Sequence, residues 1–394
     1  MSRNTRATIE LMPRRLLYLL NEALFFTTHR MPVALAARAA GFDVHVAAPD
    51  DGDKAREIEA AGFPFHPIPL DRGARGPLGE IRLLVAIACL IAKLRPDMVH
   101  HVSMKPVLWG GLVSRLFRVP AAVFAITGLG YLFVREDAAA RVQQKLLMPA
   151  LRLALHHTNS RTIFQNPDDR RLFAGKDLVE AARCVTIRGC GVDLERFRAT
   201  PEPEIKADAP PIVMFPARLI GDKGIDEFVG AARQSRAAGL AARFVLVGRL
   251  DPANPTAIAE DRVRQWTGEG LVEWWGYSTD MPGAFARAHV VVMPSYREGL
   301  PLALIEAAAC ARPIVTTDVA GCREVVRHGV NGLLVPVRDA AATASAIRRL
   351  VADGGLRRRM GSAGRTIAEA EFSVAKFVAD SLGVYRALLP AGAP

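Results

Sequence analysis

Cysteine is scarce in this chain: Cys89, Cys184, Cys190, Cys310 and Cys322 make an odd total of five, with no CxxC pair among them. That pattern excludes a disulfide framework and a zinc knuckle, and points to a reducing compartment. Long apolar runs are also missing. The most apolar helical stretch, Leu83 to Ala92, is about half the ~20 residues a bilayer span requires, and Arg82, Lys93 and Arg95 flank it. The leading MSRNTRATIELMPRR lacks the apolar region and cleavage site of a secretory signal, so export is not expected. Aromatic residues make up only 7% and rarely interleave with the positive ones, which argues against nucleic acid as a partner.

What is present is a packed globular composition, 50% hydrophobic and 23% charged over 394 residues, enough for two α/β domains. The net charge is +11, and nine of those eleven charges belong to residues 1–200. A positive first half predicts an anionic partner, here the inner face of the plasma membrane, with the protein cytoplasmic and peripheral. Charge alone fits a soluble arginine-rich protein equally well.

Short β-rich runs at Leu16–Leu20, Val44–Ala48, Met98–Val102 and Ala121–Ile126 alternate with helical spacing over Pro32–Ala40, Ile81–Leu94 and Val107–Phe117. Alternation resumes at Ile212–Phe215 and continues through Arg243–Val247, Leu271–Trp274, Val290–Met293, Pro313–Thr317 and Leu333–Val335. The fold class is therefore α/β, with two Rossmann-like domains carrying parallel sheets. The turn Gly189-Cys190-Gly191-Val192-Asp193 and the Pro-rich stretch to Pro211 place the boundary near 193, giving domains 1–193 and 194–372. Residues 373–394 hold one amphipathic helix, Ser373 to Leu389, expected to pack back on the first domain.

The most informative segment runs from Pro294 to Glu306, directly after an apolar strand. Pro301 suits a first helical turn, Gly299 permits close backbone approach, and the free N–H groups of Gly299, Leu300 and their neighbours, with Ser295, make an anion seat. Glu298 precedes the helix, where a carboxylate can bind sugar hydroxyls. Glu306 lies about 7.5 Å further along the axis, matching the step from a pyrophosphate to its ribose. A glutamate at a helix start is often only a dipole partner, but the whole strand, Ser-x-x-Glu-Gly-x-Pro and helix context favours a nucleotide sugar. Arg218 and Lys223 flank a glycine-containing loop after another strand; a guanidinium and an ammonium there would stabilise a departing diphosphate. Gly248, Arg249 and Gly276 end two further strands and are candidates for a base pocket, each a weak signal.

In the first half, the loops containing His101 and Lys105, and Thr127, Gly128 and Gly130, should face the interdomain cleft. Lys105 and Arg30 are candidates for an acceptor phosphate; for His101, structural packing is the favoured alternative. Asp51-Gly52-Asp53 has the form of a metal-binding DxD but sits in an acidic turn, so no metal site is expected.

These segments together, from about Leu16 to about Arg386, resemble family 4 of the retaining, GT-B-fold glycosyltransferases. Glu298 through Glu306 matches the paired-glutamate motif of that family, Arg218 and Lys223 its diphosphate-binding pair, and Gly191-Val192-Asp193 its hinge. The loops at His101 to Pro106 and Thr127 to Tyr131 look like those of bacterial enzymes that extend undecaprenyl-diphosphate-linked sugars. The resemblance implies a UDP-sugar donor, a lipid-linked acceptor for surface glycan assembly, retention at the anomeric carbon, and no required cofactor. Thr127 stands where many members have His, and Asn21 to Phe26 replaces the usual glycine-rich first loop. Two rival readings are a sugar-nucleotide 2-epimerase on the same fold and a non-catalytic nucleotide- or lipid-binding module.

Overall fold

The computed structural model describes residues 13–70, 76–128, 138–206 and 208–389. The first sheet holds β1 (Arg14–Leu20), β2 (Phe42–Ala48), β3 (Phe65–Pro67), β4 (Met98–Val102), β5 (Ala121–Ile126), β6 (Ser160–Phe164) and β7 (Cys184–Thr186), in the order β3-β2-β1-β4-β5-β6-β7. The second holds β8 (Ile212–Pro216), β9 (Arg243–Val247), β10 (Glu273–Trp274), β11 (Val290–Met293), β12 (Ile314–Thr317) and β13 (Gly332–Val335), in the order β10-β9-β8-β11-β12-β13. All ladders between these strands are parallel. Their apolar, often β-branched runs are buried on both faces, as a sheet covered on both sides by helices requires.

In each sheet the chain works outward from one strand, then returns to its other side, so order reverses between β1 and β4 and again between β8 and β11. Loops leaving the carboxyl ends of such a pair diverge in opposite directions and open a crevice, the usual ligand position in open α/β sheets.

Strands β3, β6 and β7 were not legible in the pattern. Two are three-residue pieces, and β6, Ser-Arg-Thr-Ile-Phe, begins with polar residues. The Ser160 hydroxyl is nonetheless satisfied locally, donating to the His157 carbonyl at 3.1 Å. The expected helix at Val107–Phe117 is divided into a π-helical turn, Pro106–Gly110, and an α-helix, Gly111–Leu116.

The buried core changes hands between Cys190, which packs with the first sheet, and Val192, which packs with the second. The helix Val374–Leu388, N-capped by Ser373, crosses back to the first sheet and buries Phe377, Val384, Tyr385 and Leu388 there. Its polar anchor is a buried chain: Tyr18 Oη lies 2.6 Å from Tyr385 Oη, which lies 2.7 Å from His100 Nδ1. Burial pushes the Tyr18 phenol up to about 12 and drives the His100 imidazole well below its ordinary value, so all three groups stay neutral.

Candidate functional site

The loops after β8 and β11, on the two sides of the second sheet's reversal, are joined along their length. The Tyr296 amide donates to the Asp222 carbonyl at 2.9 Å, and the Tyr296 hydroxyl bonds both Glu227 oxygens at 2.8 and 2.9 Å. Gly224 has φ +75°, and a Cβ there would lie 2.0 Å from the Pro294 carbonyl oxygen, so only glycine lets the loops meet. At the mouth of this seam Lys223 Nζ and Glu298 Oε1 form an ion pair of 2.5 Å, with side chains 20% and 10% exposed. Arg218, in the loop that also carries Lys223, is 39% exposed and paired at 2.5 Å with Asp251. Lys223 and Glu298, distant in sequence, thus meet on one rim, and the loop that brings Lys223 there carries Arg218 as well. Asp251 and Glu227, which complete it, carried no signal in sequence, since an acid in a loop or a helix's first turn is ordinary.

Glu306 occupies a different part of the wall. It lies on the helix Leu302–Ala309, facing the interdomain hinge, where Arg196 is the charge it feels and Cys190 feels its own. Desolvation pushes its carboxyl up to about 8, although the side chain still reaches solvent. Among the described residues none donates a hydrogen bond to it. A carboxyl so placed is suited to receive hydroxyl donors from a ligand.

Ser295 is fully buried; its carbonyl accepts from the Thr317 hydroxyl, while its own Oγ has no partner. Leu300 packs into the second core and against Gly189. Gly299 meets the other domain directly: a Cβ there would lie 2.4 Å from the Thr127 carbonyl oxygen and 2.6 Å from Gln165 Oε1. Asn166 Nδ2 donates to the Gly299 carbonyl at 2.7 Å, and Arg297 pairs with the buried Asp169 at 3.0 Å. Gly248 serves the backbone, donating to Gly276 O at 2.8 Å and accepting from Trp274 Nε1 at 2.9 Å. Arg249 is exposed, and Gly276, with φ +74°, has open space beside it.

The first-domain candidates are rearranged more strongly. Arg30 is 4% exposed and lies 5.4 Å from the ring centre of Phe377, so its side chain anchors the 374–388 helix rather than an acceptor phosphate. His101 is fully buried, stacked on Phe124 and within 3.1 Å of Ser114 Oγ, so its ring packs in the core. Lys105 is paired with Glu80 at 2.9 Å and its side chain stays 34% exposed. Thr127 Oγ1 bonds Ser103 Oγ at 3.1 Å, Gly128 has open space around it, and Gly130 lies outside the described residues. Asp51 and Asp53 cap and pair locally with Lys54 and Arg56, and no group of metal-ligating side chains is found among the described residues.

One face of the first sheet carries the helices Pro77–Leu94, Gly111–Leu116 and Ala138–Leu155. Their outer surface exposes Leu78, Ile81 and Val85 at helical spacing, with Leu116, Phe117, Leu146 and Leu153 nearby. Arg82, Lys93, Arg115, Arg118, Lys145 and Arg152 are exposed on the same segments. No described helix is long and apolar enough to cross a membrane.

Residues 15–166 match the family described as Glycosyl transferase 4-like, and residues 210–353 match Glycosyl transferases group 1. The chain is 25% identical over 337 residues to the N,N'-diacetylbacillosaminyl-diphospho-undecaprenol alpha-1,3-N-acetylgalactosaminyltransferase of Campylobacter jejuni, covering 83% of this chain and 87% of that protein. It is 25% identical over 305 residues to the Escherichia coli UDP-Gal:alpha-D-GlcNAc-diphosphoundecaprenol alpha-1,3-galactosyltransferase, covering 70% and 71%. Among solved structures it is similar to Anabaena HepE in complex with UDP and glucose, with TM-score 0.72 and 20% identity over 95% of this chain and all of that one. The sucrose-phosphate synthase of Thermosynechococcus elongatus superposes with TM-score 0.78, at 23% identity over 95% of this chain and 99% of that one.

Proposed function

Starting from the premise that this chain is a GT-B glycosyltransferase, built from a 4-like and a group 1 domain, we propose that it moves a hexosyl or N-acetylhexosaminyl group from a UDP-sugar to an undecaprenyl-diphosphate-linked saccharide, with retention. The observation that carries this reading is the rim at the β8/β11 reversal, where Lys223 meets Glu298 and the Lys223 loop also carries Arg218, paired with Asp251. The diphosphate lies against Arg218 and Lys223, whose charge offsets the negative charge that grows on the leaving oxygen. Glu298 binds hydroxyls of the donor sugar, and Glu306 those of the ribose. The acceptor hydroxyl oxygen bonds to the anomeric carbon on the face the diphosphate leaves. The carbon–oxygen bond to phosphate breaks, and the departing phosphate oxygen takes the proton, so UDP and the lengthened lipid-linked glycan are the products.

The two relatives quoted above, whose names carry lipid-diphosphate acceptors, support the acceptor class. The exposed apolar and basic face of the first domain supports a peripheral position on an anionic membrane surface, where such acceptors are embedded. The test is a matrix of UDP-sugars against lipid-linked acceptors, with product read by mass spectrometry and anomeric configuration by NMR. An inverted linkage refutes the retaining step. Exchange of a sugar-ring proton into solvent without an acceptor establishes epimerisation instead. Tight UDP binding with no product from any pair establishes a binding module.

A further inference from the structure

The Pro294–Pro301 segment belongs to the second domain, yet two of its four central residues are held by the first. Asn166 opens the helix Pro167–Gly175 with every side-chain hydrogen-bonding group engaged. Its Oδ1 accepts from the Asp169 amide at 2.8 Å, and its Nδ2 donates both to Asp169 Oδ2 at 2.9 Å and to the Gly299 carbonyl at 2.7 Å. Asp169, 1% exposed, uses its other oxygen to accept from Arg297 Nη2 at 3.0 Å. Arg297 and Gly299 flank Glu298, so the two residues beside the glutamate that pairs with Lys223 are tethered across the cleft. On the far side, a Cβ at Gly321 would lie 2.6 Å from both the Glu298 and Gly299 carbonyl oxygens, which leaves the segment no room to retreat into its own domain. A second pair, Arg323 with Asp168 at 2.9 Å, joins the same first-domain helix to the second-domain helix Cys322–Val325.

We propose that Asn166 and Asp169 are positioning residues for the nucleotide-sugar site: they set the place of Glu298 from the opposite domain, so that donor binding and the domain contact form one coupled equilibrium. By reciprocity, the factor by which the domain contact raises donor affinity is the factor by which bound donor favours the contact. The inference rests on the donor reading given above.

Asn166→Asp is the cleanest perturbation. Aspartate keeps the N-cap to the Asp169 amide but has no hydrogen for the Gly299 carbonyl or for Asp169 Oδ2, and it sets a second carboxylate against Asp169, so both arms of the tether are lost together. Asp169→Asn and Arg297→Gln form a second, independent pair. The full-length protein is titrated by calorimetry with UDP and with the UDP-sugar that the donor matrix above identifies, with helix content and melting temperature followed in parallel. A lost buried hydrogen bond predicts UDP-sugar affinity weaker on the order of tenfold in Asn166→Asp, while UDP affinity changes less. The KM for the donor should rise while that for the acceptor stays unchanged, and Arg297→Lys should lose less than Arg297→Gln. Amide exchange at residues 296–300 should accelerate with the melting temperature held. UDP-sugar affinity and exchange within twofold of wild type in Asn166→Asp, with the helix still folded, overturn the positioning role alone. A wild-type protein that binds no UDP overturns the donor reading, and the positioning role with it.

Discussion

If the Glu306 carboxyl receives ribose hydroxyls, nucleotide binding must expel a proton. With its pKa at about 8, the carboxyl of the free protein is about nine-tenths protonated at pH 7, one unit below. Two hydroxyls donating to the carboxylate favour the ionised form and draw the value back toward the ordinary range. Binding at pH 7 should therefore release about 0.9 proton from this residue, and about 0.1 at pH 9, where the free group is already ionised. The terminal phosphate of UDP titrates near pH 6 and contributes below neutrality, so the informative window is pH 7 to 9. Calorimetry in buffers of different ionisation enthalpy counts the protons, and Glu306→Gln should abolish the release in that window. Stability carries the same signature. A raised carboxyl pKa gives a contribution fully present below about 4.5 and lost as pH rises through about 8. The melting temperature of Glu306→Gln should thus decline less between pH 6 and 9 than that of the wild type. A binding enthalpy independent of buffer, or proton release that survives Glu306→Gln, refutes the assignment.

Three further outcomes follow from contacts elsewhere in the molecule. Lys223→Ala removes positive charge from the rim and leaves Glu298 unpaired; turnover at saturating donor and acceptor should fall on the order of 10²- to 10³-fold, and unchanged kcat removes its electrostatic role. Tyr385→Phe leaves the Tyr18 hydroxyl and His100 Nδ1 without their shared partner, which should cost about 1–3 kcal/mol in urea unfolding. Replacing Leu78, Ile81 and Val85 together by Ser should reduce co-sedimentation with vesicles containing anionic lipid while leaving transfer to a detergent-solubilised acceptor intact.

The repeated alternation of apolar runs and amphipathic segments was readable because the central strands are buried on both faces and the helices that cover them on one, and both constraints mark the local sequence. Arg218, Lys223 and Glu298 were readable for a related reason: they sit at strand ends, in loops whose glycines and prolines announce the turn. The edge strands β3 and β7 were not, being too short to show a period. Arg30 and His101 were misplaced because a charge or an imidazole near a strand end looks the same whether it faces the cleft or the core.

The order of elements and the segments that form the rim are thus local properties, written in the sequence by itself. Partners were decided only in three dimensions. That Lys223 meets Glu298, that Asp251 receives Arg218, that Tyr385 is hydrogen-bonded to residues some 300 positions away, and that Asn166 reaches Gly299 all depend on strand order and on two domains meeting. Hydrogen bonds and ion pairs form between neighbours in space, and no local spacing rule records which neighbours a crossover will supply.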